Sequence, residues 1–249
     1  MDFAQFHFFG SLNDFLTYQK RNRLFRYFFK GNPAIKDAIE AIGVPHPEVD
    51  CIVTNGRCVG FYYHLQPQDK VRVYSRKPEP RVRPIKHLKA KLLKHPRFIL
   101  DSHLGKLARH LRLLGFDVRY KNFFPDEEIV AIHQETRRII LTRDIGLLKN
   151  RVVKRGYWVR SSDPKKQIQE IIKEFKLKTK IKPFTLCLEC NGRITRIPKS
   201  CVIHRLPPLT KEVYQRFFIC RKCQKIYWRG AHYARLCGFV QKVKKYSIR

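Results

Sequence analysis

The chain is poor in acidic residues. Its 249 residues include 20 Asp and Glu against 53 Lys and Arg, so the formal net charge at pH 7 is +33. The basic surplus is spread along the whole length, and a field of this sign attracts polyanions at long range. The composition therefore favours RNA, DNA or an anionic membrane as partner.

Long apolar runs are also missing. No apolar run approaches the roughly 20 residues that span a bilayer. The start of the chain, MDFAQFHFFG, lacks the basic stretch and apolar core of a secretory signal. We therefore expect a soluble, cytoplasmic protein without a membrane partner, and the basic charge favours nucleic acid.

Half of the eight cysteines form two C-x-x-C pairs, and the others are scattered. In a reducing compartment this spacing favours a metal over disulfides. Four thiolates complete a tetrahedral zinc site without an open position, so the site should be structural. The predicted zinc ligands are Cys187, Cys190, Cys220 and Cys223.

The first 75 residues contain two β-like stretches, one helical stretch, a hairpin about Asn55-Gly56 and a last strand. This order of elements is typical of a ubiquitin-like β-grasp domain. Residues 76–96 are rich in proline and basic residues, which predicts either a solvated tether or a segment that orders on nucleic acid.

Strands and helices alternate from residue 97 to residue 180, which predicts a small parallel α/β sheet. Ligands of such sheets bind beyond the carboxyl ends of the strands. Asp101 and Asp144 each follow a predicted strand, and Asp126 opens a helix. Carboxylates suit Mg²⁺ or Mn²⁺, which can activate a water for phosphodiester cleavage.

These acids also have an ordinary structural interpretation. Asp126 lies at a helix N-terminus, where the helix dipole favours acids, and Asp163 before Pro164 is a normal helix cap. Asp101 and Asp144 follow strands, so a helix-capping role should explain them less well than it explains Asp126 and Asp163. They are the stronger candidates for metal ligands.

Residues 181–240 carry the cysteine pairs and have no helical period, which predicts a zinc ribbon followed by a basic tail at 241–249. Basic and aromatic residues alternate there, and basic residues also lie outside the apolar face of the helix that follows Asp101. Basic side chains hold phosphates while aromatic rings stack on unpaired bases, although some of these rings should form the ribbon's own core. The RNA-contact candidates are Lys106, Arg109, Arg112, Arg143, Arg221, Lys222, Lys225, Tyr227, Trp228 and Arg229.

The segments FILDSHLGKLARHLRLLGFDVRY, PDEEIVAIHQETRRIILTRDIGLL, CLECNGRI and CRKCQKIYWRGAHYARL resemble the Mut7-C RNase domain, regarded as a PIN-like nuclease followed by a zinc ribbon. The segments IEAIGVPHPEVDCIVTNGRCVGF and KVRVYS resemble the ubiquitin-like domain that precedes it. The resemblance implies an α/β multidomain chain. Its parts would be a β-grasp domain at 1–75, a basic linker at 76–96, a PIN-like parallel sheet at 97–180, a zinc ribbon at 181–240 and a tail at 241–249.

Carried over by motif, Asp101 is the acid of the first strand, Asp126 the acid that opens the second helix and Asp144 the acid of the TRD motif. The resemblance thus implies a ribonuclease that uses Mg²⁺ or Mn²⁺ at these three residues. The expected partner is RNA, with ribosomal and transfer RNA as the candidates. The alternative is a non-catalytic RNA-binding or ribosome-associated factor on a nuclease-like scaffold, which the +33 charge favours. A DNA-binding regulator is disfavoured, because no helix-turn-helix is visible.

Sulfur carriers with a β-grasp fold end in a free Gly-Gly. Here the corresponding strand continues through YSRKPEPRV without a Gly pair. We therefore expect no conjugation chemistry, and either a protein-docking or an RNA-positioning role for this domain.

Overall fold

The computed structural model describes residues 1–75, 86–91 and 93–246. Much of the linker predicted for 76–96, and the end of the predicted tail, lie outside the described residues. The chain divides into two compact units, each built from two segments: Met1–Leu92 with Val130–Trp158, and Leu93–Ile129 with Val159–Arg249. The helices that the structure describes are all too short or too polar to cross a bilayer.

The N-terminal region is a five-stranded mixed sheet with one helix packed on it. Its elements are β1 Asp2–Phe9, β2 Phe25–Phe29, α1 Ile35–Ile42, β3 Cys51–Thr54, β4 Arg57–Val59 and β5 Lys70–Tyr74. The strand order is β2-β1-β5-β3-β4, with β1 and β5 parallel. Asn55 and Gly56 join β3 to β4 with φ values of 49° and 83°, the left-handed conformation that a tight hairpin turn requires. The predicted β-grasp fold is confirmed.

The residues just after the undescribed part of the linker pack against this domain. Asp50 holds them: its carbonyl accepts the N–H of Leu88 at 2.6 Å, and its carboxylate accepts the N–H of Lys89 at 3.3 Å. Leu88 also packs against the hydrophobic core of the domain. This part of the basic segment is therefore fastened to the β-grasp domain.

The central region is a parallel α/β sheet, as predicted. Its elements are β6 Phe98–Leu100, α2 Gly105–Leu113, β7 Val118–Arg119, α3 Asp126–Thr136, β8 Ile139–Thr142, α4 Ile145–Lys149, β9 Gly156–Trp158 and α5 Pro164–Glu174. In one unit β6 pairs in parallel with β7, and in the other β8 pairs in parallel with β9. The sequence pattern does not predict α4, because a five-residue helix is too short to show a period.

Within the first unit, the β-grasp domain packs against the segment 130–158. The backbone N–H of Trp158 donates to Glu48 Oε1 at 2.8 Å, and Lys149 Nζ donates to the carbonyl of Glu40 at 2.7 Å. Glu48 is 1% exposed, so this contact is buried. One partner of the β-grasp domain is therefore a segment of the chain's own nuclease-like region.

The C-terminal region is a three-stranded antiparallel sheet flanked by helices. Its elements are β10 Ile194–Ile197, α6 Pro208–Val213, β11 Phe217–Cys220, β12 Ile226–Trp228 and α7 Ala231–Tyr246. The expectation that this region lacks a helical period was wrong, because α7 runs through residue 240. Leu236, Val240 and Val243 repeat at helical spacing, and the last two are buried. Gly238, a poor helix former, lies between these apolar positions and weakens the pattern.

A buried histidine on α3 makes the fold sensitive to acid. His133 is 4% exposed; its Nδ1 lies 2.7 Å from the carbonyl of Arg138, and its Nε2 accepts the N–H of Lys154 at 3.1 Å. Burial lowers the pKa of His133 below its ordinary 6.5. The unfolded chain binds a proton near that pH and the folded chain resists it, so stability present above about pH 6.5 is lost as the pH falls.

We therefore expect the melting temperature to fall between about pH 7 and pH 5. A His133→Leu variant should be less stable at neutral pH, since Lys154 loses its acceptor, but its stability should depend less steeply on pH. An equally steep dependence in the variant would rule out His133 as the cause. Thermal unfolding followed by circular dichroism measures both.

Candidate metal centre and nucleic-acid interface

Four cysteines that are distant in the chain meet in the C-terminal region. The Sγ atoms of Cys187, Cys190, Cys220 and Cys223 all lie within 4.8 Å of one another. Two of the separations are 3.6 Å, between Cys187 and Cys223, and 3.4 Å, between Cys190 and Cys220. Zinc–sulfur bonds of about 2.3 Å place the sulfurs of a tetrahedral site about 3.8 Å apart. The four residues thus fit one zinc ion.

Space at the turn that carries Cys187 and Cys190, the first knuckle of the zinc site, depends on a glycine. A Cβ atom on Gly192 would lie 2.7 Å from Cys220 Sγ and 3.3 Å from Cys190 Sγ, which would push two ligands aside. The left-handed residue of the turn is the preceding Asn191, with a φ of 67°. Gly192 is therefore required for room beside the sulfurs, and Asn191 makes the chain reversal.

The thiols do not share one ionisation state in the protein alone. Burial by itself would raise the pKa of Cys187, but hydrogen bonds, above all from the Tyr227 hydroxyl at 3.0 Å, outweigh it and lower this pKa to about 7. Burial and the neighbouring thiols raise the pKa of Cys190 to about 12. Four thiolates in contact need a cation to offset their repulsion, which is the chemistry that zinc supplies.

Arg112 anchors the first knuckle to α2 and β7, all within the second unit. It is 3% exposed, and its guanidinium donates to the carbonyls of Leu188 at 3.0 Å, Glu189 at 2.7 Å and Val118 at 3.1 Å. The N–H of Val118 in turn donates to Asn191 Oδ1 at 3.0 Å. The expectation that Arg112 contacts RNA is corrected, since carbonyl groups surround its guanidinium in the protein interior.

The acids that follow the strands both cap the helical turns after them. Asp101 is 6% exposed, and its Oδ1 accepts the N–H of His103 at 2.9 Å. Asp144 is exposed, and its Oδ1 accepts the N–H of Gly146 at 2.7 Å. The expectation that these two acids lack a capping role was therefore wrong. Asp126 is exposed and opens α3, as predicted.

The loop that carries Asp144 is held within the first unit by an aromatic residue that the sequence analysis did not single out. Trp158 Nε1 donates to the carbonyl of Arg143 at 3.1 Å, and the Trp158 ring lies 4.9 Å from that of Phe15 between centroids. Through the bond from Trp158 to Glu48, the β-grasp domain thus supports the TRD loop. No motif marks this contact.

A cavity of about 840 Å³ lies in the second unit, next to the cysteine cluster. Five of the predicted RNA contacts line it, namely Arg109, Lys225, Tyr227, Trp228 and Arg229. Four others are exposed residues outside its walls: Lys106, Arg143, Arg221 and Lys222. Arg235 also lines the cavity and was not among the predicted contacts, because it lies on α7, a helix that was not predicted.

The comparisons with known proteins agree with this architecture. A family model described as Mut7-C RNAse domain matches residues 96–240, and one described as Mut7-C ubiquitin matches residues 1–80. Among the curated proteins and the solved structures, none is significantly similar to the chain. The resemblance read from the sequence is confirmed, and with it a nuclease-like function related to RNA.

Proposed function

Because the chain belongs to the Mut7-C RNAse domain family, we propose that it is a ribonuclease that depends on a divalent metal and hydrolyses RNA phosphodiester bonds. The observation that carries this proposal is the pair of acids that end β6 and β8, in a chain otherwise poor in acids. Asp101 follows β6 directly, and Asp144 follows β8 with one residue between. Acids at the carboxyl ends of parallel strands lie where the ligands of such sheets bind.

The proposed metal ligands are Asp101, Asp126 and Asp144. All three offer carboxylate oxygens, the donors that Mg²⁺ and Mn²⁺ prefer. Such an ion would supply positive charge for the attacking water and the departing oxygen of the scissile phosphate. The caps made by Asp101 and Asp144 fix their side-chain directions before any ion binds.

The exposed basic residues of α2 and the ribbon would hold the RNA backbone. Lys106 and Arg109 are exposed on α2, and Arg221 and Lys222 are exposed between the second pair of zinc ligands. Contacts of this kind position the phosphates without reading the sequence. Zinc would shape the ribbon surface and take no part in cleavage, because four thiolates leave it no open position.

Cleavage of single-stranded RNA in Mg²⁺ or Mn²⁺ tests the proposal. The wild-type protein should cleave, and a variant with Asp101→Asn and Asp144→Asn should not. Both side chains keep an oxygen that can accept the capping N–H, so the variant should fold. If the wild type cleaves no faster than this variant, the proposed activity is wrong.

A non-catalytic RNA-binding or ribosome-associated factor is the second candidate, and the +33 charge favours it. Each phosphate contact releases about 0.9 counterion from a duplex, so affinity for RNA should fall steeply with salt. Co-sedimentation with ribosomal particles at low salt, without RNA cleavage, would support this candidate. An RNA affinity that hardly changes with salt would count against it.

A further inference from the structure

The cavity beside the zinc ligands has aromatic walls of defined orientation. Tyr227 presents its ring to the cavity while its hydroxyl bonds to Cys187 Sγ. Tyr233 packs against Phe184 with the ring centroids 4.8 Å apart. Trp228 is half-buried and packs against the hydrophobic core of the ribbon. These contacts fix the positions of the three rings that line the cavity.

The charge of the walls favours an anion. Four Lys and Arg residues line the cavity, and Glu189 is the one carboxylate among the described residues that do so. Glu189 lies 3.1 Å from Lys225 Nζ and 3.6 Å from an Arg109 guanidinium nitrogen, so two cations already face its charge. Arg229 and Arg235 supply the remaining positive charge, and the Arg229 guanidinium lies 5.4 Å from the centre of the Tyr233 ring.

The volume fits a small ligand rather than a duplex. At about 840 Å³ the cavity falls in the range of roughly 300–1,000 Å³ that is usual for sites that enclose small molecules. A base in a duplex is paired and stacked on its neighbours, so it cannot enter such a space. An unpaired base can enter and stack on aromatic side chains, with its phosphate facing the arginines.

We infer that this cavity binds an unpaired nucleotide of single-stranded RNA, with the base between the aromatic walls and the phosphate at Arg229 and Arg235. The inference rests on the RNA-binding part of the proposed function and narrows its substrate to RNA with an unpaired base. Zinc has an indirect part, since Tyr227 joins the cavity wall to a zinc ligand. The site does not require cleavage to occur.

The fluorescence of Trp228 reports directly on binding in the cavity. The chain has two tryptophans, so a Trp158→Phe variant reports on Trp228 alone. We expect a short single-stranded RNA, added to the zinc-loaded full chain without Mg²⁺ or Mn²⁺, to quench this fluorescence to saturation. A blunt RNA duplex and inorganic polyphosphate, which offer charge without an unpaired base, should quench it weakly.

Substitutions of residues that line the cavity distinguish RNA binding at the cavity from RNA binding through the overall positive charge. Tyr233→Ala, and a double variant with Arg229→Ala and Arg235→Ala, should each weaken binding of the short RNA by about tenfold or more. Arg216→Ala is the matched control, because Arg216 is exposed on the ribbon and does not line the cavity. Zinc content must stay at one ion per chain in every variant, which excludes unfolding as the cause.

Three results would overturn the inference: equal quenching by polyphosphate or duplex, an equal loss in the Arg216→Ala control, or stronger quenching by an acidic peptide than by RNA. The last result would assign the cavity to a protein partner. Saturable quenching of the Trp158→Phe variant, together with a wild-type protein that does not cleave RNA in Mg²⁺ or Mn²⁺, would keep the cavity and reject the nuclease. RNA cleavage by the wild type without quenching of the variant would keep the nuclease and reject the cavity as a nucleotide site.

Discussion

A variant with Cys187→Ser and Cys220→Ser is expected to lose its zinc and the fold of its C-terminal region. The ribbon at residues 181–240 has a small hydrophobic core, whose buried residues are Val202, Leu206 and Phe217. Zinc binding supplies about 10–16 kcal/mol to small zinc-held domains, more than such a core provides. Removing one ligand from each knuckle should therefore leave the ribbon unfolded.

Cys201→Ser is the matched control, because Cys201 is exposed and lies outside the cysteine cluster. Metal analysis should give one zinc per chain for the wild type and this control, and none for the double variant. Limited proteolysis should cut the double variant first within residues 181–240. Retention of one zinc by the double variant would contradict the four-cysteine site.

The second large effect is expected from Asp101→Asn. A catalytic metal ion contributes several kcal/mol to the transition state, and each 1.36 kcal/mol is tenfold in rate. Loss of one carboxylate ligand should lower RNA cleavage by roughly a thousandfold on this scale. RNA affinity should change little, because the phosphate contacts are assigned to basic residues elsewhere.

Asp163→Asn is the matched control for this change. Asp163 caps α5 by accepting the N–H of Lys165 at 2.8 Å, as Asp101 caps the turn after β6. Asn is as good a cap as Asp, so both variants should keep their stability. Cleavage that falls equally in both variants, or that persists in Asp101→Asn, would contradict the assignment of Asp101.

Much of the fold could be predicted because its signals are local. The Asn55-Gly56 turn fixes one hairpin, and the alternation of strands and helices fixes the parallel sheet. The zinc ligands could also be predicted from the sequence, because the C-x-x-C spacing places both thiolates of a pair on one metal ion. The helix α7 was not predicted, because Gly238, a poor helix former, lies between its apolar positions.

Contacts between segments that are distant in the chain could not be predicted from the sequence. Arg112 has the position of a solvent-facing helix residue, and only the folded knuckle shows that three carbonyls accept from it. The support of the TRD loop by Trp158 and Glu48 joins segments more than a hundred residues apart. The cavity likewise gathers residues from Arg109 to Leu236. None of these contacts has a pattern in the sequence.

The most direct measurement of the central claim is anomalous scattering from a crystal of the zinc-loaded protein soaked in Mn²⁺. We expect a manganese peak bound by the carboxylates of Asp101 and Asp144, with Asp126 as a further ligand, and no such peak in crystals of the Asp101→Asn variant. A soaked wild-type crystal with no manganese at these carboxylates would contradict the proposed metal site.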